Sequence, residues 1–191
     1  MKTGLFFGSF NPIHFGHMAL ANYFVEYTEL QQVWFVISPH NPLKKKESLL
    51  NDQLRLDMVS LAIGKDERFS ICDIEFRMPQ PSYTIDTLAY LTDKHSRQEF
   101  ILLMGSDGLD TFHRWKNYEL IIKQYHRYIY PRNSRSSIDP SLHQNITYLK
   151  DAPKIEISSS FIRRALHEGK DMRYFLHERV YKFILEKKLY I

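Results

Sequence analysis

The run Gly8-Ser9-Phe10-Asn11-Pro12-Ile13-His14-Phe15-Gly16-His17 gathers residue types suited to holding an anion. Glycine at position 8 permits close backbone approach, Pro12 stiffens the turn, and Gly16 places a helix start with its free N–H groups facing outward. His14 and His17, three residues apart, can bring both imidazole N–H groups near one point. The chemistry predicted is a phosphate cradle. On the residues alone, a zinc-binding histidine pair and two ordinary turn histidines stay open, although neither accounts for the glycines and the proline. The run is not a P-loop, since no Gly-Lys-Ser/Thr follows, and it is not the Gly-x-Gly-x-x-Gly dinucleotide fingerprint.

A second cluster, Ile157-Ser158-Ser159-Ser160-Phe161-Ile162-Arg163-Arg164, reads locally as a capped helix. Serine hydroxyls and unsatisfied N–H groups at a helix start also make an anion cradle, and Arg163 adds a fixed charge one turn inside. Three further segments close strands or open helices. Ser82-Tyr83-Thr84-Ile85-Asp86-Thr87-Leu88 opens a helix with Thr84 as its expected N-cap. Met104-Gly105-Ser106-Asp107 ends an apolar strand and is followed by Phe112 and Trp115, and Pro39-His40-Asn41-Pro42-Leu43-Lys44 ends another. Trp115 offers a flat π face to a cationic ring, or else packs in a core or lid. Lys44-Lys45-Lys46 taken alone also reads as a solvated loop.

The elements that position these clusters follow from apolar periodicity. Strands are expected over Gly4–Gly8, Gln32–Ser38, Phe69–Asp73, Glu99–Met104, Tyr125–Tyr130 and Ile146–Leu149. Helices are expected around Met18–Phe24, then over Asp52–Ile63, Thr84–Lys94, Ser158–His167 and Glu178–Lys188. Arg132–Pro140, rich in Ser, Arg and Asn, reads as a surface loop. Strands and helices alternate, and the strands are almost continuously apolar. The fold class expected is therefore α/β: a Rossmann-like, doubly wound parallel sheet with helices on both faces and a helical C-terminal end. Ligands in such a sheet sit at the carboxyl ends of the strands, where each unusual cluster falls.

Composition narrows the function classes. With 191 residues, 43% hydrophobic and 25% charged, the chain suits one ordered domain over residues 1–191. One cysteine leaves no internal disulfide and no cysteine-based zinc cluster, which fits a cytoplasmic protein. No run reaches the roughly 18 to 20 apolar residues of a membrane span, and no signal-peptide core forms at the start. The formal charge of +4 suits anionic partners; a basic nucleic-acid module would explain that charge but not the placement of Gly, His and Ser.

The first and second clusters together resemble the nucleotidyltransferase superfamily, with signatures Gly-x-Phe-x-Pro-x-His-x-Gly-His and Ile-Ser-Ser-Thr/Ser-x-x-Arg. Asn11 stands where aspartate is usual, and Ser160 where threonine is common. The three further segments are similar to those of the nicotinate-nucleotide adenylyltransferases: Ser-Tyr-Thr-hydrophobic-Asp-Thr-Leu, Gly-x-Asp followed by Phe and Trp, and Pro-x-x-Pro-His-Lys/Arg. Leu43 and His177 depart from that pattern, but the likeness covers nearly the whole chain.

The resemblance implies that His14, His17, Arg163 and Lys44 act on the triphosphate of ATP. It implies an ATP site from Gly8, Ser9, Phe10, Gly16, Gly105, Asp107, Ile157, Ser158, Ser159 and Ser160. It places nicotinate mononucleotide at Tyr83, Thr84, Asp107 and Trp115. Mg2+ would be held chiefly by ATP phosphates and water, with no metal-ligating protein residues. Neither nucleic acid nor membrane is an expected partner, and the oligomeric state is left open. The alternatives are pantetheine-phosphate adenylyltransferase, which usually has threonine where His14 stands, and a catalytically silent nucleotide sensor of the same fold.

Overall fold

Residues that alternate along each strand feed two different layers, and this divides the apolar side chains into two cores. The computed structural model describes residues 1–39, 49–132 and 144–191. In it β1 (Lys2–Gly8), β2 (Gln32–Ile37), β3 (Phe69–Cys72), β4 (Glu99–Gly105), β5 (His126–Tyr130) and β6 (Ile146–Tyr148) form one six-stranded sheet in the order β3-β2-β1-β4-β5-β6. Every pairing is parallel, with Leu5 beside Trp34 on one flank and beside Leu102 on the other. Parallel neighbours need crossovers, and helices supply them.

Phe6, Phe35, Ile101, Leu103, Tyr128 and Tyr130 pack into one buried cluster with Leu20, Phe24, Met58, Val59, Ile162, Val180 and Ile184. That layer comprises α1 (Phe15–Tyr27), α2 (Asp52–Ile63), α6 (Ser159–His167) and α7 (Glu178–Glu186). Leu5, Leu102, Met104 and Ile129 point the other way, against Ile85, Leu88, Leu91, Leu109, Ile121 and Ile122. These belong to α3 (Thr84–Lys94), α4 (Ser106–Leu109) and α5 (Tyr118–Gln124). The apolar run of β4 is buried from Phe100 to Gly105 because both its faces are covered.

Chain order reverses direction between β1 and β4, so the crevice beyond their carboxyl ends, at Gly8 and Gly105, is the expected ligand site. The expected strands and helices are present with ends moved by one to three residues, and α2 and α3 have the expected bounds. The short helices α4 and α5 were not expected. Thr84 is the first helical residue of α3 rather than its cap; extended Tyr83 (φ −122°, ψ 142°) is the N-cap and makes no side-chain capping bond. No helix among the described residues is long and apolar enough to cross a membrane.

Candidate active site

The first cluster turns sharply off β1. Phe10 takes a positive φ of 44°, buries its ring against Phe6, His17 and Phe35, and lines the cavity. Gly8 is needed because a Cβ there would lie 2.8 Å from the Phe10 ring. At Gly16 a Cβ would meet the His14 ring and Ile155 at 3.0 Å, so a larger residue at this helix start would press on the His14 imidazole.

His14 is the N-cap of α1, and its N–H donates to Nδ1 of His17 at 3.3 Å. That bond fixes the tautomer of His17: with Nδ1 accepting, the neutral ring carries its proton on Nε2. The two rings stack with centroids 3.7 Å apart. Burial, and secondarily the charge of Arg132, lower the His14 pKa to about 4. His14 is therefore neutral near pH 7, and its buried Nδ1 has no hydrogen-bond partner among the described residues.

The second cluster reaches this loop across the length of the chain. Ser158 caps α6 by accepting from Phe161 N–H at 3.1 Å. Ser159 Oγ donates to the Pro12 carbonyl at 2.9 Å, and Arg163 Nη1 donates to the Asn11 carbonyl at 2.8 Å. Ser160 Oγ accepts from Arg163 Nη2 at 3.3 Å. A cavity of about 380 Å³ results, lined by Gly8, Ser9, Phe10, Gly16, Ile157, Ser158, Ser159 and Ser160 with His14, His17 and Arg163.

A second cavity of about 290 Å³ opens on the other side of the β1 and β4 ends, with Tyr83, Thr84, Gly105 and Trp115 on its walls. Trp115 is half-buried: its ring packs tilted against Phe112 with centroids 5.1 Å apart and also lines the cavity. Lys116 lies 4.6 Å over the Tyr83 ring and pairs with Asp86 at 2.8 Å. Gly8, Ser9, Tyr130 and Arg132 border both cavities.

The cytidylyltransferase-like family model matches residues 5–165. A protein of Cytophaga hutchinsonii named "Probable nicotinate-nucleotide adenylyltransferase" is 47% identical over 190 residues, covering 100% of this chain and 98% of that one. A protein of the same name from Bacteroides fragilis is 49% identical over 186 residues, covering 97% and 92%. The chain belongs to the nicotinate-nucleotide adenylyltransferase family. Its fold matches that of Plasmodium falciparum nicotinic acid mononucleotide adenylyltransferase complexed with NaAD, with TM-score 0.80, 21% identity, and coverage of 99% and 97% of the two chains.

Several of this adenylyltransferase's site residues sit differently from the sequence reading. Asp107 lines neither of the two cavities but a third, of about 340 Å³, with Ile157 and Ser158, and pairs with Arg132 at 3.5 Å. Gly105 borders the second cavity rather than the first. Lys44 lies outside the described residues. Asn11, in the usual aspartate position, is buried; its Oδ1 accepts from Tyr190 Oη at 2.6 Å and from Leu50 N–H at 3.4 Å.

Three residues that no motif flagged also line or brace these cavities. Arg132, which the sequence assigns to a surface loop, lines both cavities; its place two residues after the strand that ends at Tyr130 was the available signal. Arg55 of α2 is fully buried and donates through Nη1 to the carbonyls of Ser9 (2.7 Å) and Ser38 (2.8 Å), while also pairing with Asp52. Glu75 is buried on the wall of the second cavity. Nothing in the spacing of Arg55 or Glu75 pointed to either role.

Proposed function

We propose that the chain transfers the adenylyl group of ATP to nicotinate mononucleotide, giving nicotinate adenine dinucleotide and pyrophosphate in NAD biosynthesis. The observation that carries this reading is the common wall of Gly8, Ser9, Tyr130 and Arg132 between a cavity rich in phosphate donors and one floored by Trp115 and the start of α3. Two nucleotides seated one in each would meet phosphate to phosphate at that wall.

The acceptor phosphate, with a second pKa of about 6, is largely dianionic near neutral pH and attacks the α-phosphorus without a protein base. A new P–O bond forms there, and the bond to the bridging oxygen of the β-phosphate breaks with its electron pair going to pyrophosphate. The protein aligns the two phosphates and stabilises charge on the leaving group. His17 Nε2–H, neutral His14, Arg163 and the Ser158–Ser160 turn serve the triphosphate, and Lys44, outside the described residues, is assigned the same role by resemblance alone. Arg132 is placed to serve whichever phosphate lies at the junction.

No group of three or more His, Cys, Asp or Glu side chains converges among the described residues, and the first cavity presents donors and cations. That chemistry suits ATP that brings Mg2+ on its own phosphates. In the second cavity, Trp115 stacks on the pyridinium ring, a contact worth roughly 1 to 2 kcal/mol when desolvated. The uncapped N–H groups at the start of α3 suit a carboxylate and disfavour an amide N–H2. We assign residues 1–191 to one nucleotidyltransferase domain and the reaction to the cytoplasm, which the free thiol of Cys72 supports.

The deciding experiment supplies Mg-ATP with nicotinate mononucleotide, nicotinamide mononucleotide or phosphopantetheine, and identifies the product by mass. Pyrophosphate release with nicotinate adenine dinucleotide as the preferred product is expected. Transfer to phosphopantetheine alone, or no transfer at all, would overturn the reading.

A further inference from the structure

Glu75 lies on a short 3-10 turn, Ile74–Arg77, directly after β3 and is 2% exposed. Its two oxygens are both engaged by hydroxyls: Oε2 accepts from Ser82 Oγ at 2.9 Å, and Oε1 accepts from Thr87 Oγ1 at 2.8 Å. The Glu75 carbonyl accepts from Gln80 Nε2 at 2.7 Å, and Gln80 Oε1 in turn accepts from Ser82 N–H at 3.3 Å. Ser82 and Thr87 are themselves buried. The start of α3 is thus strapped to one carboxyl group at both of its flanks.

Between the two straps lie Tyr83, Thr84, Ile85 and Asp86; the Asp86 N–H donates to the Tyr83 carbonyl at 3.0 Å, and the N-cap Tyr83 offers no side-chain capping bond to the N–H groups of this first turn. Serine and threonine hydroxyls near a helix start compete for just such groups. Here the hydroxyls of Ser82 and Thr87 are spent on Glu75 instead. The turn is therefore held in place and also left open toward the cavity that Glu75, Tyr83 and Thr84 line together.

We infer that Glu75 is a positioning residue for the acceptor: by binding Ser82 and Thr87 it aims the first-turn N–H groups of α3 at the ring carboxylate and so sets the preference for acid over amide. This rests on the adenylyl-transfer reading above. Glu75 touches neither reacting phosphate in that reading, so its effect belongs to recognition of one substrate.

The test is steady-state kinetics of Glu75→Ala and Glu75→Gln with both mononucleotides, beside thermal midpoints. Glu75→Ala is expected to raise the KM for nicotinate mononucleotide roughly tenfold or more, as for loss of aligned donors to a charged group. The KM for ATP should stay within about twofold, and the acid-to-amide ratio of kcat/KM should fall about tenfold. Glu75→Gln can accept one hydroxyl and donate to the oxygen of the other, and should restore most of that ratio. If Glu75→Ala does not fold, Ser82→Ala and Thr87→Val remove the straps singly and should each lower the ratio.

A parallel rise in both KM values, or an unchanged acid-to-amide ratio in the variants that fold, would overturn the inference. So would tighter binding of the acid by Glu75→Gln, which would mean that the carboxyl group repels the substrate. A wild-type protein that makes no dinucleotide from nicotinate mononucleotide would instead sink the functional reading beneath it, a result visible before any variant is made.

Discussion

His17 can donate toward the triphosphate cavity because its other nitrogen is already taken by the His14 N–H. Replacing His17 by Ala should lower kcat by roughly 10²- to 10³-fold with little change in thermal midpoint, as for loss of one transition-state donor; an unaltered rate would remove His17 from the mechanism. The His14 ring has a different signature. Its pKa of about 4 in the folded protein lies below the usual 6.5, so between those values the unfolded chain takes up a proton that the folded chain refuses. Stability from this site is therefore complete above about pH 6.5 and declines as pH falls toward 4. Urea midpoints followed from pH 7 to 4 should drop more steeply for the wild type than for His14→Asn, and parallel curves would contradict the assignment. Trp115→Ala should chiefly raise the KM for the mononucleotide; equal effects on both substrates would make that ring structural.

At the scale of elements, α2 acts on the site without touching it. The guanidinium of Arg55 serves the carbonyls of Ser9, Ser38 and Leu50, which ties the ends of β1 and β2 to one helix. Arg55→Met leaves those half-buried acceptors without that donor and should cost about 2 kcal/mol in denaturant unfolding, with a raised KM for ATP. Arg55→Lys should recover only part, since a point ammonium cannot match a planar fork. The two phosphate clusters were legible in the sequence because each is local: a turn chemistry in Gly8–His17, a capped helix start in Ile157–Arg163. Arg55 was not, because its partner Ser9 lies 46 positions away and a helical arginine ordinarily reads as solvated. Glu75 was hidden for another reason: its hydroxyl partners are only 7 and 12 positions on, but a lone glutamate just after a strand carries no pattern that says it is buried. Helix α5 escaped notice because it is seven residues long and starts from Asn117 in a left-handed conformation (φ 49°) without a capping bond. The residue type of Thr84 suits a cap, yet the extended backbone at Tyr83 decides where the helix begins.

Across the whole molecule, the parallel sheet was readable from uninterrupted apolar strands such as Phe100–Met104, whereas the order of strands was not, since no residue pattern encodes which neighbour a buried strand chooses. The C-terminal segment carries a contact that spacing could not reveal: Tyr190 donates to Asn11, 179 positions away, beside buried Leu189. Burial also raises the pKa of the Tyr190 hydroxyl, which keeps it protonated as the donor. Tyr190→Phe removes that bond and little else, and should cost about 1 kcal/mol while weakening ATP binding; an unchanged KM for ATP would confine Tyr190 to the fold.

The first turn of the chain is thus finished by distant segments, through Arg163 of α6 on the Asn11 carbonyl and Tyr190, in the turn after α7, on the Asn11 side chain. During synthesis the amino-terminal loop leaves the ribosome first and must wait, incomplete, for most of the translation time. A nascent polypeptide halted before the cap of α6 lacks Ser158, Ser159, Ser160 and Arg163 and so holds only one wall of the first cavity.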